Sequence, residues 1–286
     1  MSGDGGGPGQ RRPEDLRRAT ERIEREELAR GEVPAGGRAA VPRPASTLVL
    51  ARTRRRRGDG PFEVLLLERP QTARFAAGAF VFPGGVIDDG DAAPGLRSLL
   101  PAAVGTEEKP ALAAGLRELF EETGILLGDV RVPREDAARA RRALLGGRAT
   151  FEEVTDLLGL RFARLRVAYL SRWVTPARFA RRYDTRFFLA ESGPAVAGTD
   201  PELTDELSGY VWLSPAEAVR RFVDGLLPLL FPTRTTLSRL AAFPDLEAAF
   251  AACAAAEVLP LEPRLLVRGD SVRPVLPGDP EYAEAT

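Results

Sequence analysis

Histidine is absent from this 286-residue chain, and cysteine occurs once, as Cys253. Without histidine there is no Ser-His-Asp triad, no histidine-ligated zinc and no imidazole general base. A single cysteine excludes an intramolecular disulfide and suits a reducing compartment. Acid–base or metal chemistry therefore falls to Asp, Glu, Tyr, Arg or that one thiol. Long apolar runs are missing as well. None reaches the ~18–20 residues that a membrane-spanning helix needs, and the opening "MSGDGGGPGQRRPEDLRR" has no apolar stretch of the kind found in secretory signals. The expectation is a soluble, cytoplasmic protein with no membrane partner. Charge imbalance is missing too: 40 Lys and Arg against 41 Asp and Glu give a net charge of −1. The molecule as a whole exerts no pull on nucleic acid. Nearly all the positive charge is arginine, with Lys109 the single lysine.

What remains is an ordinary globular composition, 44% hydrophobic and 28% charged. Residues 1–44 read as a disordered or partly helical tail, Gly-rich at first and then rich in Arg and Glu. A compact domain is expected over 45–258, followed by an extension over 259–286 that packs on it and carries a hairpin near 269–270. Strand-like runs lie at 46–52 and 62–69, joined by an arginine-rich turn at 54–57, and at 79–87. A Pro-rich loop follows over 88–110. Helical periodicity occupies 111–123, 135–145 and 151–158, the last opened by a Thr150/Glu153 capping box. A short strand is expected at 125–133. Further strands lie at 165–176, 185–192 and 208–215. Ser214-Pro215 opens a helix to Phe222, and two more follow at 235–242 and 246–256. Strands and helices mix without regular alternation, which predicts an α+β fold with a mixed sheet.

The informative stretch is "GLRELFEETGILL", residues 115–127. At about 100° per residue, Leu112, Leu116, Leu119 and Phe120 share one sector of a helix. Glu118, Glu121 and Glu122 share the opposite one. Like charges at that spacing cost a few tenths of a kcal/mol each in water. A solvated acidic face would accommodate them. So would a divalent cation, and upstream "FPGG" (82–85) is a turn whose backbone can come close to another group for want of side chains. Clustered carboxylates facing such a turn suit Mg²⁺ or Mn²⁺.

"GGVIDDGD…RELFEETGIL" resembles the Nudix box, the signature of hydrolases that split a nucleoside diphosphate linked to another group. Arg117, Glu118, Leu119, Glu121, Glu122, Gly124 and Ile125 match its second half, and Gly85 its first. The first glutamate of the box falls on Asp91. Twenty-five residues separate Asp91 from Arg117 where the pattern has seven, an insertion of eighteen within the loop at 92–110. That insertion, with "LLLERPQTARFAAGAFVFPGG" (65–85), "RYDTRFFLA" (182–190) and "VLPGDPEY", is similar to the coenzyme A diphosphatase branch of the family. The resemblance spans roughly 45–282.

It implies a Nudix-type α/β/α sandwich and a metal-dependent pyrophosphohydrolase. Glu118, Glu121 and Glu122 would hold Mg²⁺ or Mn²⁺, and Arg117 would orient a glutamate of the cluster. The Gly84–Gly85 turn would lend a backbone carbonyl. Glu122 or Glu206 would serve as general base, with Asp205 and Glu202 as alternatives. Arg69, Arg74 and Arg182 are candidate phosphate contacts, and so is Arg234 at the start of a helix. Trp173, Tyr183, Phe187 and Phe188 read as sheet core. The favoured substrate is coenzyme A or an acyl-CoA, giving 3′,5′-ADP and phosphopantetheine. NADH or a nucleotide sugar is the alternative, and a non-catalytic Nudix-fold regulator is the reading from another class. The expected partner is a small nucleotide-type substrate, with no nucleic acid, and the assembly is open to a homodimer.

Overall fold

Strand β1 (Arg43–Thr53) carries the apolar run Leu48 to Ala51 at its centre, and the alternation of side chains along it decides the architecture. Leu48 and Leu50 point into one core, Val49 and Ala51 into another, and all four are fully buried. A strand buried on both faces belongs at the centre of a sheet covered by helices on each side. The computed structural model shows this arrangement. It describes residues 40–53, 61–73, 76–193, 200–268 and 271–285, the side chains of 271 and 272 excepted. Residues 1–39, the arginine-rich turn at 54–57, Arg74 and the turn at 269–270 lie outside the described residues.

β1 pairs antiparallel with β2 (Phe62–Glu68) at one end and with β4 (Gly84–Val86) at the other. Its second edge pairs parallel with β6 (Tyr183–Glu191), which continues antiparallel to β5 (Val167–Val174). β3 (Phe80–Val81) and β7 (Gly209–Leu213) add to β2, and β8 (Pro260–Leu261) runs parallel to β5. The mixed sheet reads β3-β2-β1-β6-β5-β8 along its main path.

One face carries α1 (Pro94–Leu99), α2 (Lys109–Thr123), α3 (Arg134–Leu145) and α4 (Phe151–Leu157). Their Leu96, Leu112, Leu116, Leu119, Phe120 and Phe151 close the core begun by Leu48, Leu50 and Phe188. The other face carries α5 (Pro215–Val223), α6 (Phe231–Ala241) and α7 (Leu246–Ala255), which cover Val49, Phe187 and Leu189. The result is a three-layer α/β/α sandwich. The local start signals are made as the sequence specifies. Thr150 Oγ1 accepts the Glu153 N–H at 3.2 Å while Glu153 Oε2 accepts the Thr150 N–H at 2.8 Å. Ser214 caps α5 through its hydroxyl oxygen alone, which accepts from Glu217 N–H at 3.2 Å.

Two expectations need correction. Residues 125–133 form no strand. Ile125 and Leu127 are buried because they plug the helical layer, not because they pair with a neighbouring strand. The Pro-rich segment 88–110 is not an open loop either. It holds a 3₁₀ turn (Asp89–Ala92) and α1, whose first-turn Pro94 starts the helix, and it buries Leu96 and Leu100. Pro110 likewise sits in the first turn of α2, and Lys109 Nζ reaches back to the Arg97 carbonyl at 3.1 Å.

Beyond the sheet, β9 (Arg264–Arg268) and β10 (Ser271–Val275) form an antiparallel hairpin. Tyr282 Oη donates to the Glu262 carbonyl at 2.9 Å, and Arg182 donates to the Ala40 and Thr175 carbonyls and to Glu262. No helix among the described residues is long and apolar enough to cross a membrane.

Candidate active site

The carboxylate-bearing turn is set by how α2 meets the sheet. Its apolar stripe is drawn into the core, and it ends at Gly124, which takes φ +70° and donates its N–H to the Phe120 carbonyl at 2.9 Å. The last turn therefore lies over β4. A Cβ on Gly85 would stand 2.2 Å from Glu118 Oε1, and one on Gly84 would stand 2.4 Å from the Ser46 carbonyl oxygen. Only side-chain-free positions allow that approach. The contact that results is a donor contact. The Gly84 N–H donates to Glu122 Oε2 at 3.2 Å.

Arg117 organises the rest. Its Nε and Nη2 donate to the two oxygens of Asp91, each at 2.9 Å. Nη1 donates to Glu118 Oε1 at 2.8 Å and to Glu121 Oε2 at 2.9 Å, and Nη2 also reaches the Val86 carbonyl at 2.9 Å. Asp91 is 1% exposed, and its Oδ2 also accepts the Asp88 N–H at 2.9 Å. The shorter acid thus takes a defined place although 25 residues separate it from Arg117, because the insertion folds as α1 against the helical layer, burying Leu96 and Leu100, and its ends return to one point.

Burial opposes the charge on Arg117, but its bonds to Asp91 and the charges of Asp91, Glu118 and Glu121 outweigh burial and raise its pKa. The glutamates carry the opposite strain. Burial lifts Glu118 to about 7, with Arg117 pulling it down and Glu121 and Asp91 pushing it up. Burial also lifts Glu121, against the pull of Arg117. Glu122 rises to about 8 through burial and the charge of Glu118; the Gly84 N–H and Arg69 oppose this, and Glu206 adds to it. Arg117 alone is shared among three of these acids, Asp91, Glu118 and Glu121.

An excess of sheltered carboxylate oxygen is the donor chemistry of a hard divalent cation. As the side chains stand, among the described residues no three acids converge as a metal cage. Glu118 and Glu121 are turned to Arg117, and Glu122 to Gly84. The residues fit such an ion by type and charge, and each of these contacts engages one carboxylate oxygen of Glu118, Glu121 or Glu122.

The other expected residues divide. Arg69 lies close enough to Glu122 to favour its charge, and Glu206 close enough to oppose it. Glu206 and Asp205 are exposed on a segment anchored by the Glu202 N–H, which donates to the Thr123 carbonyl at 2.7 Å. The Glu202 side chain pairs with Arg134. Arg234 is not brought to the carboxylates. It belongs to α6, on the far face of the sheet, where it stacks over Phe222 and Phe231. Arg182 is spent on the carbonyls and the glutamate named above. Trp173, Phe187 and Phe188 are core, whereas Tyr183 is 37% exposed. Sequence reasoning missed Arg141, whose Nε and Nη2 donate to the Glu121 carbonyl at 3.0 and 2.7 Å. The signal was present: Ala137, Ala140 and Leu144 define the inward stripe of α3, and Arg141 falls within it.

A scan against protein-family models gives no match. Among curated proteins, the chain is 28% identical over 302 residues to the acyl-coenzyme A diphosphatase NUDT19 of Gallus gallus, covering 84% of this chain and 79% of that one. It is 30% identical over 278 residues to the Homo sapiens protein of the same name, covering 78% and 73%. Among solved structures, a NUDIX hydrolase from Alicyclobacillus acidocaldarius superposes with a TM-score of 0.61 at 29% identity, over 76% of this chain and 99% of that one. Likeness that runs through 73% of the human enzyme, on a shared sandwich fold, shows that this chain belongs to the Nudix hydrolases, enzymes that act on diphosphate bonds.

Proposed function

We propose that the chain is a divalent-cation-dependent diphosphatase of coenzyme A or an acyl-CoA, releasing 3′,5′-ADP and the phosphopantetheine half. The observation that carries the reading is the surplus of sheltered carboxylate at Glu118, Glu121 and Glu122, with Glu118 and Glu122 packed against the Gly84–Gly85 backbone and Glu121 held by Arg117. The relatives named acyl-coenzyme A diphosphatase support the choice of substrate. The hydrolase domain is taken as 45–258, with 92–110 as its insertion and 259–286 as an extension, acting in the cytoplasm on a small nucleotide-type molecule.

A diphosphate is polyanionic, and these acids alone would repel it. Glu118, Glu121 and Glu122 would hold Mg²⁺ (or Mn²⁺), which when bound neutralises phosphate oxygens and acidifies water. The remaining work belongs to the chain. Arg117, fixed by Asp91, holds Glu118 and Glu121 in place. Arg69, beside Glu122, offers positive charge to a phosphate. Glu206 or Glu122 takes the proton of the attacking water as the new P–O bond forms, and the bridging P–O bond breaks to release the second phosphate.

The test is mass spectrometry of products from a mixed pool of coenzyme A, NADH and nucleotide sugars, with and without Mg²⁺. The expected result is 3′,5′-ADP, formed only when Mg²⁺ is present. NADH turnover without coenzyme A turnover overturns the substrate. Inertness toward the whole pool overturns the enzyme in favour of a ligand-binding regulator.

A further inference from the structure

The C-terminal carbonyls of a helix have no intrahelical partners, and in α2 they lie directly behind the acidic turn. Three are taken individually. Phe120 O accepts from the Gly124 N–H, Thr123 O from the Glu202 N–H, and Glu121 O from the forked pair of Arg141 donors. The first two are backbone contacts. The third comes from a side chain of another helix, and that side chain is 9% exposed.

Burying a guanidinium against a neutral carbonyl is an expensive way to cap a helix. Burial indeed pulls the Arg141 pKa down, while the charges of Glu202 and Glu121 hold it up. Arg134, two helical turns earlier on α3, pairs with Glu202. α3 therefore grips both the end of α2 and the segment that carries Glu206. Gly124 makes room for the grip: a Cβ there would lie 3.3 Å from Arg141 Nη1.

We infer that Arg141 is a positioning residue of the hydrolytic site. By fixing the Glu121 carbonyl it sets the direction in which the Glu121 and Glu122 side chains leave α2, and so their placement relative to Glu206 when they gather a cation. This rests on the reading that the acidic turn binds a divalent cation.

The experiment measures Mn²⁺ binding to substrate-free protein by electron paramagnetic resonance, alongside kcat and KM for coenzyme A. Arg141→Met keeps the length of the side chain and removes the fork. It is expected to lose about tenfold or more in Mn²⁺ affinity, the scale seen when groups supporting metal ligands are removed. Its kcat falls in step while KM stays near the wild-type value. Arg141→Lys, with charge but no fork, recovers part of the affinity, and it serves as the test should the Met variant fail to fold. A lowered melting temperature with wild-type Mn²⁺ affinity overturns the inference and makes Arg141 a plain cap. Wild-type protein that binds no Mn²⁺ overturns the cation reading itself.

Discussion

Arg117 and Asp91 stand 26 positions apart in the chain and meet through two N–H···O bonds of 2.9 Å, one to each carboxylate oxygen. The pair is nearly sealed from water, with side-chain exposures of 9% and 1%. Removing one member of a buried ion pair strands the other, at a cost of about 3–5 kcal/mol. Asp91→Ala is therefore expected to lower the urea unfolding free energy by that order. It should also cut turnover, because Arg117 loses the partner that aims it at Glu118 and Glu121. Wild-type stability in this variant would show that the pair does not anchor the site.

The two glycines of β4 separate by what a methyl group would strike. At Gly85 it strikes the Glu118 carboxylate, the far end of a flexible side chain. Gly85→Ala should keep the fold and displace the acid, with a loss of activity on the order of 10²-fold. At Gly84 it strikes the Ser46 carbonyl, which is backbone in β1. Gly84→Ala should lower the melting temperature as well. Calorimetry paired with an activity assay distinguishes the two.

Stability should depend on pH with a definite sign when no cation is added. Glu118 and Glu122 are raised from 4.5 to about 7 and about 8, so the folded chain holds protons that the unfolded chain has released. Stability then falls as pH rises from the unfolded value near 4.5 through about 8. A melting-temperature series from pH 5 to 9 should decline across that window. Added Mg²⁺ should flatten the decline, most strongly at the alkaline end.

The two candidates for the general base differ in exposure. Glu206 is exposed, so Glu206→Gln should leave the unfolding midpoint in place. The expected fall in kcat is about 10²-fold or more, the usual worth of such a group. An unchanged kcat excludes Glu206 and passes the role to Glu122 or to the alternatives Asp205 and Glu202.

The central strand, the acidic helix and the helix caps were legible because each is written in local periodicity. β1 and α2 announce their buried faces in the spacing of Leu and Val, and Thr150 and Ser214 mark starts that the backbone honours. What local pattern does not encode is which side of a sheet an element reaches. Arg234 shows this: a helix start rich in Thr and Arg reads the same on either face, and α6 lies on the wrong one for the carboxylates. Residues 125–133 show the companion error, since burial without a pairing partner imitates a strand. Asp91 and Arg141 act across the chain, each through a pair of hydrogen bonds; the inward stripe of α3 marks Arg141 as buried, but local pattern does not name the Glu121 carbonyl as its partner.

The tie between Lys109 Nζ and the Arg97 carbonyl spans the excursion between Asp91 and the acidic helix. Lys109 is also the chain's single lysine, which leaves one side-chain amine for acylating reagents to find besides the amino terminus. Its rate of labelling becomes a built-in gauge of how often that excursion peels away from the helix, readable by peptide mapping without any engineered probe.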